Sequence, residues 1–237
     1  MVNCKIAVLG DFNPAYATHH ALNDSIRQCV GQLDASIQCD WIGTDVFDTE
    51  VVFGHGMYSG LWVAPGSPYK DFDNVLDVIQ YTRRHAIPTF GNCGGFQHMV
   101  IEFARNVCGL READHTETNP DTDSPVIYKL SCSLVGQEET LEILDRDSVL
   151  YEIVQRDNFI GRYFCSYGLN PAYREALQSH GLVFTSQTPD GQARSFEIKS
   201  HPFFVGTLFQ PALMSSKENP DQLIVEFFRE CEAVTNS

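Results

Sequence analysis

The feature that most constrains the fold is a regular alternation of apolar and amphipathic segments through the first hundred residues. Amphipathic segments at residues 16–33 and 75–84 repeat apolar side chains at helical spacing. Short apolar runs with the length of buried strands flank them, at residues 5–9, 36–42, 60–64 and 87–90. Strands that alternate with helices predict an α/β fold with a mostly parallel central sheet flanked by helices.

The second half of the chain has a different pattern, rich in extended segments. Asp190-Gly191 is typical of a hairpin turn. The extended segments are predicted at residues 125–134, 140–144, 182–185, 193–198 and 203–209, and a C-terminal helix at 221–234. Because we find no repeat, no low-complexity segment and no linker, we expect a single domain over residues 1–237.

Composition excludes several classes of partner. The 16 basic and 31 acidic side chains give a formal net charge of −15, which opposes binding to nucleic acid or to an anionic membrane. The sequence has no apolar run of membrane-spanning length, and its first apolar run is too short for a signal peptide. The eight cysteines form no C-x-x-C pair and no zinc-finger pattern, so we predict reduced thiols, a cytoplasmic location, no metal and no cofactor.

The motif that carries chemistry is Gly91-Asn92-Cys93-Gly94-Gly95, which lies between a predicted strand and a predicted helix. This is a nucleophile elbow with a thiol in place of the hydroxyl, and its small flanking residues allow the turn to be tight. The helix N-terminus behind it favours a thiolate and offers N–H groups to an oxyanion. A buried structural cysteine in a glycine-rich turn remains the alternative.

The segment that follows the elbow, Ile101-Glu102-Phe103-Ala104-Arg105-Asn106-Val107 with Gly109-Leu110, resembles the glutaminase domain of CTP synthase, a class I glutamine amidotransferase. Further similarity is found in chain order at Thr116-Glu117, at residues 167–170 and from His201-Pro202 to Phe209-Gln210-Pro211. The resemblance implies the flavodoxin-like amidotransferase fold. It also implies a cysteine that attacks a glutamine amide, forms a thioester and releases ammonia.

Several site residues are implied by the same resemblance. Cys93 matches the nucleophile, and Gly66 in Ala64-Pro65-Gly66-Ser67 matches the oxyanion loop, with the Gly94 amide as second donor. Gln97 and Tyr167 match positions beside the bound substrate.

Two departures from the family affect both the chemistry and substrate recognition. Gln210-Pro211-Ala212 replaces the His-Pro-Glu of the family, so the general base and its carboxylate partner are both missing. Ser166 replaces an arginine that is associated with the substrate α-carboxylate.

Three residues are candidates for replacing the missing base. His115 and Glu117 alternate, so an extended segment would direct an imidazole and a carboxylate to the same side. His19 follows the first strand, at the edge where α/β active sites form.

These observations leave three functions open. The first is an enzyme that uses Cys93 on a glutamine-like amide or a related C–N substrate. The second is an inactive glutaminase-like module that binds a metabolite or a regulatory partner. The third is a glutaminase subunit that supplies ammonia to a separate synthetase. A small-molecule substrate is expected, and a synthetase and a second copy of the chain are the candidate protein partners.

Overall fold

The computed structural model describes residues 3–33 and 36–235. Residues 1, 2, 34, 35, 236 and 237 of the predicted domain therefore lie outside the described residues. The first half alternates strands and helices in this order: β1 (Asn3–Leu9), α1 (Ala17–Val30), β2 (Ser36–Ile42), α2 (Thr49–Val52), β3 (Gly60–Val63), α3 (Phe72–Arg84), β4 (Thr89–Asn92) and α4 (Gly94–Asn106).

The second half adds mostly strands. In chain order they are β5 (Asp114–His115), β6 (Pro125–Lys129), β7 (Glu138–Ile143), α5 (Val149–Val154), β8 (Asn158–Arg162), β9 (Tyr167–Leu169), α6 (Arg174–Ser179), β10 (Val183–Gln187), β11 (Ala193–Glu197), β12 (Phe204–Thr207) and α7 (Gln222–Thr235). Short 3-10 turns at Pro171–Tyr173 and Pro211–Leu213 complete the described elements.

The central sheet confirms the predicted α/β class. It has nine strands in the order β2-β1-β3-β4-β12-β11-β10-β7-β8, and a small second sheet has the order β5-β6-β9. The pairs from β2 to β12 are parallel, whereas those from β12 to β8 are antiparallel. The hairpin at Asp190-Gly191 joins β10 to β11, as predicted.

Some predicted boundaries were wrong. The fourth strand begins at Thr89 rather than residue 87, because β4 pairs with β12 from Thr89 to Asn92 and therefore runs directly into the elbow. The predicted strand at 125–134 ends at Lys129. Beyond it, the chain forms a loop whose Leu130 and Leu134 amides donate to Ser166 O and Cys165 O, both at 2.9 Å.

Buried contacts hold α4 rigidly below the elbow. Residues 94–104 of this helix are all buried. The Glu102 carboxylate is fully buried and accepts two hydrogen bonds from the Arg83 guanidinium of α3, at 2.9 and 2.7 Å. Because removal of one partner would leave a buried charge unpaired, this bidentate pair fixes the two helices relative to each other.

The strand order determines which residues meet at the candidate site. The carboxyl ends of β3, β4 and β12 lie side by side, with Val63 opposite Gly91 and Asn92 opposite Thr207. The chain leaves these strands at Ala64, Cys93 and Leu208. The oxyanion loop, the elbow and Gln210 are therefore brought to one edge of the sheet.

Candidate active site

Cys93 occupies a nucleophile elbow between β4 and α4. Its backbone has φ 54° and ψ −110°, a conformation that is strained for a residue with a side chain. A Cβ at Gly95 would lie 2.3 Å from Val63 O, so only glycine permits this approach of the turn to β3. The Cys93 amide donates to Thr207 O at 2.9 Å. These contacts hold the side chain, which is 6% exposed, at the edge of the sheet.

Two backbone N–H groups converge on the Cys93 sulfur. They belong to Gly66 and Gly94, the two donors that the resemblance implied for an oxyanion hole. Gly66 has φ +103°, which glycine adopts without strain. An oxyanion formed next to the sulfur would therefore find preorganised donors.

His19 orients the first of these donors. Its Nδ1 accepts the Asn13 N–H at 3.0 Å, so the proton lies on Nε2, which donates to Pro65 O at 2.8 Å. In a trans peptide the C=O and N–H point in opposite directions, so fixing Pro65 O turns the Gly66 N–H toward Cys93. Burial lowers the pKa of His19 and thereby favours the neutral imidazole.

The thiol of Cys93 is electrostatically tuned. A hydrogen bond from the Cys165 thiol is the main influence that lowers the pKa of Cys93, and the N–H groups of Gly94 and Gly66 lower it further. Burial and the negative charge of Glu117 act in the opposite direction but are outweighed. The site thus stabilises the thiolate relative to that of a free cysteine.

The hydrogen bonds of the His115 ring go to Gln97 and Glu117. Its Nδ1 accepts the Glu117 N–H at 3.0 Å, and its Nε2 donates to Gln97 Oε1 at 3.1 Å. The Gln97 amide in turn donates to Tyr167 O at 2.9 Å. Burial lowers the pKa of His115 to about 3, so the ring is neutral. In this arrangement His115 orients Gln97 through a hydrogen bond, and its predicted catalytic role stays a prediction.

We predicted that His115 and Glu117 would lie on an extended segment with their side chains on the same side, and this prediction was wrong. The strand β5 ends at His115, and the amides of Thr118 and Asn119 turn back to the His115 carbonyl. His115 is bonded to the main chain of Glu117, whereas the Glu117 carboxylate accepts a hydrogen bond from Ser67 Oγ at 2.6 Å. The turn directs this carboxylate to the oxyanion loop rather than to the imidazole.

Gln210 stands where the resemblance to the family implies a general base. Its side chain is fully buried, and neither its Oε1 nor its Nε2 has a hydrogen-bond partner. A neutral amide accepts no proton at physiological pH, so Gln210 cannot replace the imidazole. Ala212, in place of the family's carboxylate, is also buried.

These residues surround a cavity of about 230 Å³. Five predicted site residues line it: Gly66, Cys93, Gln97, Glu117 and Tyr167. The other lining residues are Tyr16, Thr18, Ser67, Val135, Phe164, Cys165, Ser166 and Gln210. Gly94, His19 and His115 support the site from outside this lining.

Cys165 lines the cavity and hydrogen-bonds to Cys93, but the sequence did not predict it as a site residue. It lies in the loop between β8 and β9, and the carbonyl of the preceding Phe164 is 3.8 Å from Cys93 Sγ. A signal was present, because Cys165 directly precedes Ser166-Tyr167, where the resemblance to the family resumes.

Over residues 3–33 and 36–235, no group of three or more His, Cys, Asp or Glu side chains is arranged to hold a metal ion. In the same part of the chain, no helix combines the length and apolar character needed to span a membrane.

The open sheet and its elbow define the class of protein: an α/β protein with a cysteine at a nucleophile elbow and two N–H groups facing its sulfur. The family model for class I glutamine amidotransferases matches residues 18–229. The chain therefore belongs to the class I glutamine amidotransferase family, and it is similar to the glutaminase domain of CTP synthases.

The curated relatives include CTP synthases from Nautilia profundicola and Methanopyrus kandleri. They are 28% and 29% identical to this chain, over 94% and 91% of its length but only 45% and 43% of their own. The chain thus spans less than half the length of these relatives.

Solved structures show the same fold. The glutaminase domain of Trypanosoma brucei CTPS with bound acivicin superposes with a TM-score of 0.88 and 23% identity, covering 97% of this chain and 94% of that one. A glutamine amidotransferase from Thermotoga maritima gives a TM-score of 0.60 at 11% identity, covering 99% of both chains.

Proposed function

We propose that this chain is an amide-cleaving enzyme in which Cys93 forms a thioester with its substrate. The observation that carries the proposal is the convergence of the Gly66 and Gly94 N–H groups on a sulfur whose pKa is lowered. Attack of the thiolate on an amide carbon places negative charge on the carbonyl oxygen, where these donors are available.

The two halves of the reaction differ in the support they receive. Acylation requires a thiolate, an oxyanion hole and a proton that lets the amide nitrogen depart as ammonia; Cys93 and its N–H donors offer the first two, and solvent water supplies the proton. Hydrolysis of the thioester requires activation of a water molecule, for which Gln210 offers no base. We therefore expect rapid release of the amine, followed by slow release of the acid.

The charge of the cavity indicates the class of substrate. Among the residues that line it, Glu117 is the only Asp, Glu, Lys or Arg side chain. At the position of the family's arginine, Ser166 offers a hydroxyl that is hydrogen-bonded to Ser133 at 2.9 Å. A primary amide with an amine at its other end fits this lining better than one with a carboxylate.

The unpartnered Gln210 amide provides a further recognition element. Gln210 lines the cavity, and its amide donor and acceptor are buried without partners; such groups are costly unless a ligand satisfies them. A substrate with one donor and one acceptor at this position would bind without leaving them unpaired.

The test compares 4-aminobutanamide, which has the amine and the amide of glutamine but no carboxylate, with L-glutamine. Acid-quenched samples are analysed for ammonia and for the acylated protein by intact mass. We expect about one equivalent of ammonia per chain in the first phase with 4-aminobutanamide, less with L-glutamine, and none with Cys93→Ser.

A variant with the family's base separates a slow enzyme from an inactive module. The double change Gln210→His and Ala212→Glu supplies an imidazole and its carboxylate partner, and we expect about 10²–10⁴-fold faster steady-state release of ammonia. The matched control is Gln210→Asn with Ala212→Glu. Absence of acyl-protein in the wild type, together with no release of ammonia by the double variant, would overturn the proposal in favour of a binding module.

A further inference from the structure

The contact between Cys93 and Cys165 has no role in amide cleavage beyond tuning the nucleophile. Both thiols line the same cavity, and Cys165 lies on the irregular segment between β8 and β9. Cys93 Sγ is 3.8 Å from the Phe164 carbonyl, which belongs to the peptide that carries the Cys165 nitrogen. A hydrogen bond between the two side chains places the second sulfur beside the first.

We propose that Cys93 and Cys165 form a redox dithiol that reduces small, uncharged hydroperoxides. Cys93 is the attacking thiol, and Cys165 is the resolving thiol that closes the disulfide. This activity is independent of the proposed amide cleavage, because it requires neither a general base nor an oxyanion hole.

The chemistry needs only the two thiols and the peroxide. In the first step, the Cys93 thiolate attacks the terminal oxygen of ROOH. An S–O bond forms and the O–O bond breaks. A proton from solvent then converts the departing alkoxide into ROH. Cys93 becomes a sulfenic acid. In the second step, the Cys165 sulfur attacks the Cys93 sulfur, and the hydroxyl leaves as water with the Cys165 proton. A thiol reductant returns the disulfide to two thiols.

The surroundings assign different roles to the two sulfurs. Cys93 stands at the N-terminus of α4, whereas Cys165 belongs to the irregular segment between β8 and β9. Contact with Cys93, together with burial, raises the pKa of Cys165, which therefore retains its proton until the resolving step. The thiol with the lowered pKa attacks, and the thiol that keeps its proton supplies it to the leaving hydroxyl.

The cavity also selects the oxidant. Its volume of about 230 Å³ admits a small molecule, and the Glu117 carboxylate opposes the approach of an anion to Cys93. Hydrogen peroxide is the simplest uncharged oxidant that meets both conditions, and it is the probe for the test.

The test treats the reduced protein with one equivalent of hydrogen peroxide, blocks the remaining thiols by alkylation and maps peptides without reduction. We expect a linked Cys93–Cys165 peptide that has lost two hydrogen atoms and is restored by dithiothreitol. Cys132 is exposed and provides an internal reference thiol. Each pKa unit by which Cys93 lies below a free thiol increases its thiolate fraction at neutral pH about tenfold, so Cys93 should oxidise faster than Cys132.

Variants separate the two steps. Cys165→Ser retains a hydroxyl donor to Cys93 but cannot form the disulfide, so Cys93 should be trapped as a sulfenic acid by dimedone. The matched control Cys132→Ser should still form the linked peptide. With dithiothreitol present, the wild type should consume peroxide above background, and Cys93→Ser should not.

Oxidation of Cys93 in the wild type without a linked peptide would overturn the proposal, as would oxidation no faster than that of Cys132. Failure of this proposal is distinguishable from failure of amide cleavage, because one is read from the disulfide and the other from the acyl-protein.

Discussion

Gln210 and Gln97 permit a matched test of how the cavity is built. Both are buried glutamines that line the same cavity. The Gln97 amide bonds to His115 Nε2 at 3.1 Å and to Tyr167 O at 2.9 Å, whereas both polar atoms of Gln210 have no partner. Methionine has nearly the same length and volume as glutamine but no strong polar group, so Gln→Met isolates the effect of the amide.

The expected effects on stability have opposite signs. A buried polar group without a partner costs about 1–3 kcal/mol, so Gln210→Met should raise the free energy of unfolding by an amount of this order. Gln97→Met removes two hydrogen bonds and leaves the His115 N–H and the Tyr167 carbonyl unpaired, at about 1–3 kcal/mol each. It should therefore lower the free energy of unfolding.

The assay is urea unfolding of the wild type and the two variants at pH 7, with thermal unfolding as a second measurement. For a chain of this length, each kcal/mol corresponds to a shift in Tm of roughly 2–4 °C. Gln210→Met should also weaken binding of any amide substrate, because its recognition element is lost. If Gln210→Met destabilised the protein as strongly as Gln97→Met, the Gln210 amide would have partners in the folded chain and the reasoning would fail.

Two further predictions concern the oxyanion loop and acid stability. A Cβ at Gly66 would lie 2.9 Å from His19 Nε2, so Gly66→Ala should displace the Gly66 N–H from Cys93 and slow the alkylation of Cys93 at pH 7. The control is Gly109→Ala, because Gly109 also has a positive φ but open space around it, and this change should leave the alkylation rate unchanged. Burial lowers the pKa of His98 to about 4 and that of His115 to about 3, whereas an unfolded histidine has about 6.5. Below pH 6.5 the unfolded chain therefore binds more protons than the folded chain. As the pH falls from 6.5 toward the folded pKa of each histidine, that histidine should lower the free energy of unfolding by up to about 1.4 kcal/mol per pH unit. Urea unfolding between pH 7 and 4.5 measures how steeply the free energy of unfolding falls with pH. His98→Met should remove the contribution of one proton from this slope, and an unchanged slope would contradict the lowered pKa of His98.

The fold class was predictable because its signals are local. Buried parallel strands are apolar throughout, helices repeat every 3.6 residues, and the glycines of the elbow are needed for close packing wherever that turn occurs. The elements from β1 to α4 follow this pattern with boundary errors of up to three residues, apart from the short helix α2, which was not predicted. Thr89 joins β4 because of β12, which lies more than a hundred residues further along the chain.

The partners of the site residues were not predictable in the same way. The sequence predicted that His115 and Glu117 act together, because alternate residues of an extended chain face the same side. In the structure the chain turns after β5, so the Glu117 carboxylate hydrogen-bonds to Ser67 and the His115 imidazole hydrogen-bonds to Gln97. His19 orients the Gly66 peptide through the Pro65 carbonyl, a contact between residues 46 positions apart.

The sequence by itself determined the α/β architecture and the thiol at the elbow, since each is a property of residue type and short-range spacing. Only the tertiary structure decided that Cys165 lies beside Cys93 and that the Gln210 amide is left without partners. Both depend on how the β8–β9 loop and the segment after β12 pack against the elbow, and the carbonyl of Phe164 that touches Cys93 is 71 positions away. Contacts at such separations follow from the register and crossing of the strands, which no local pattern records.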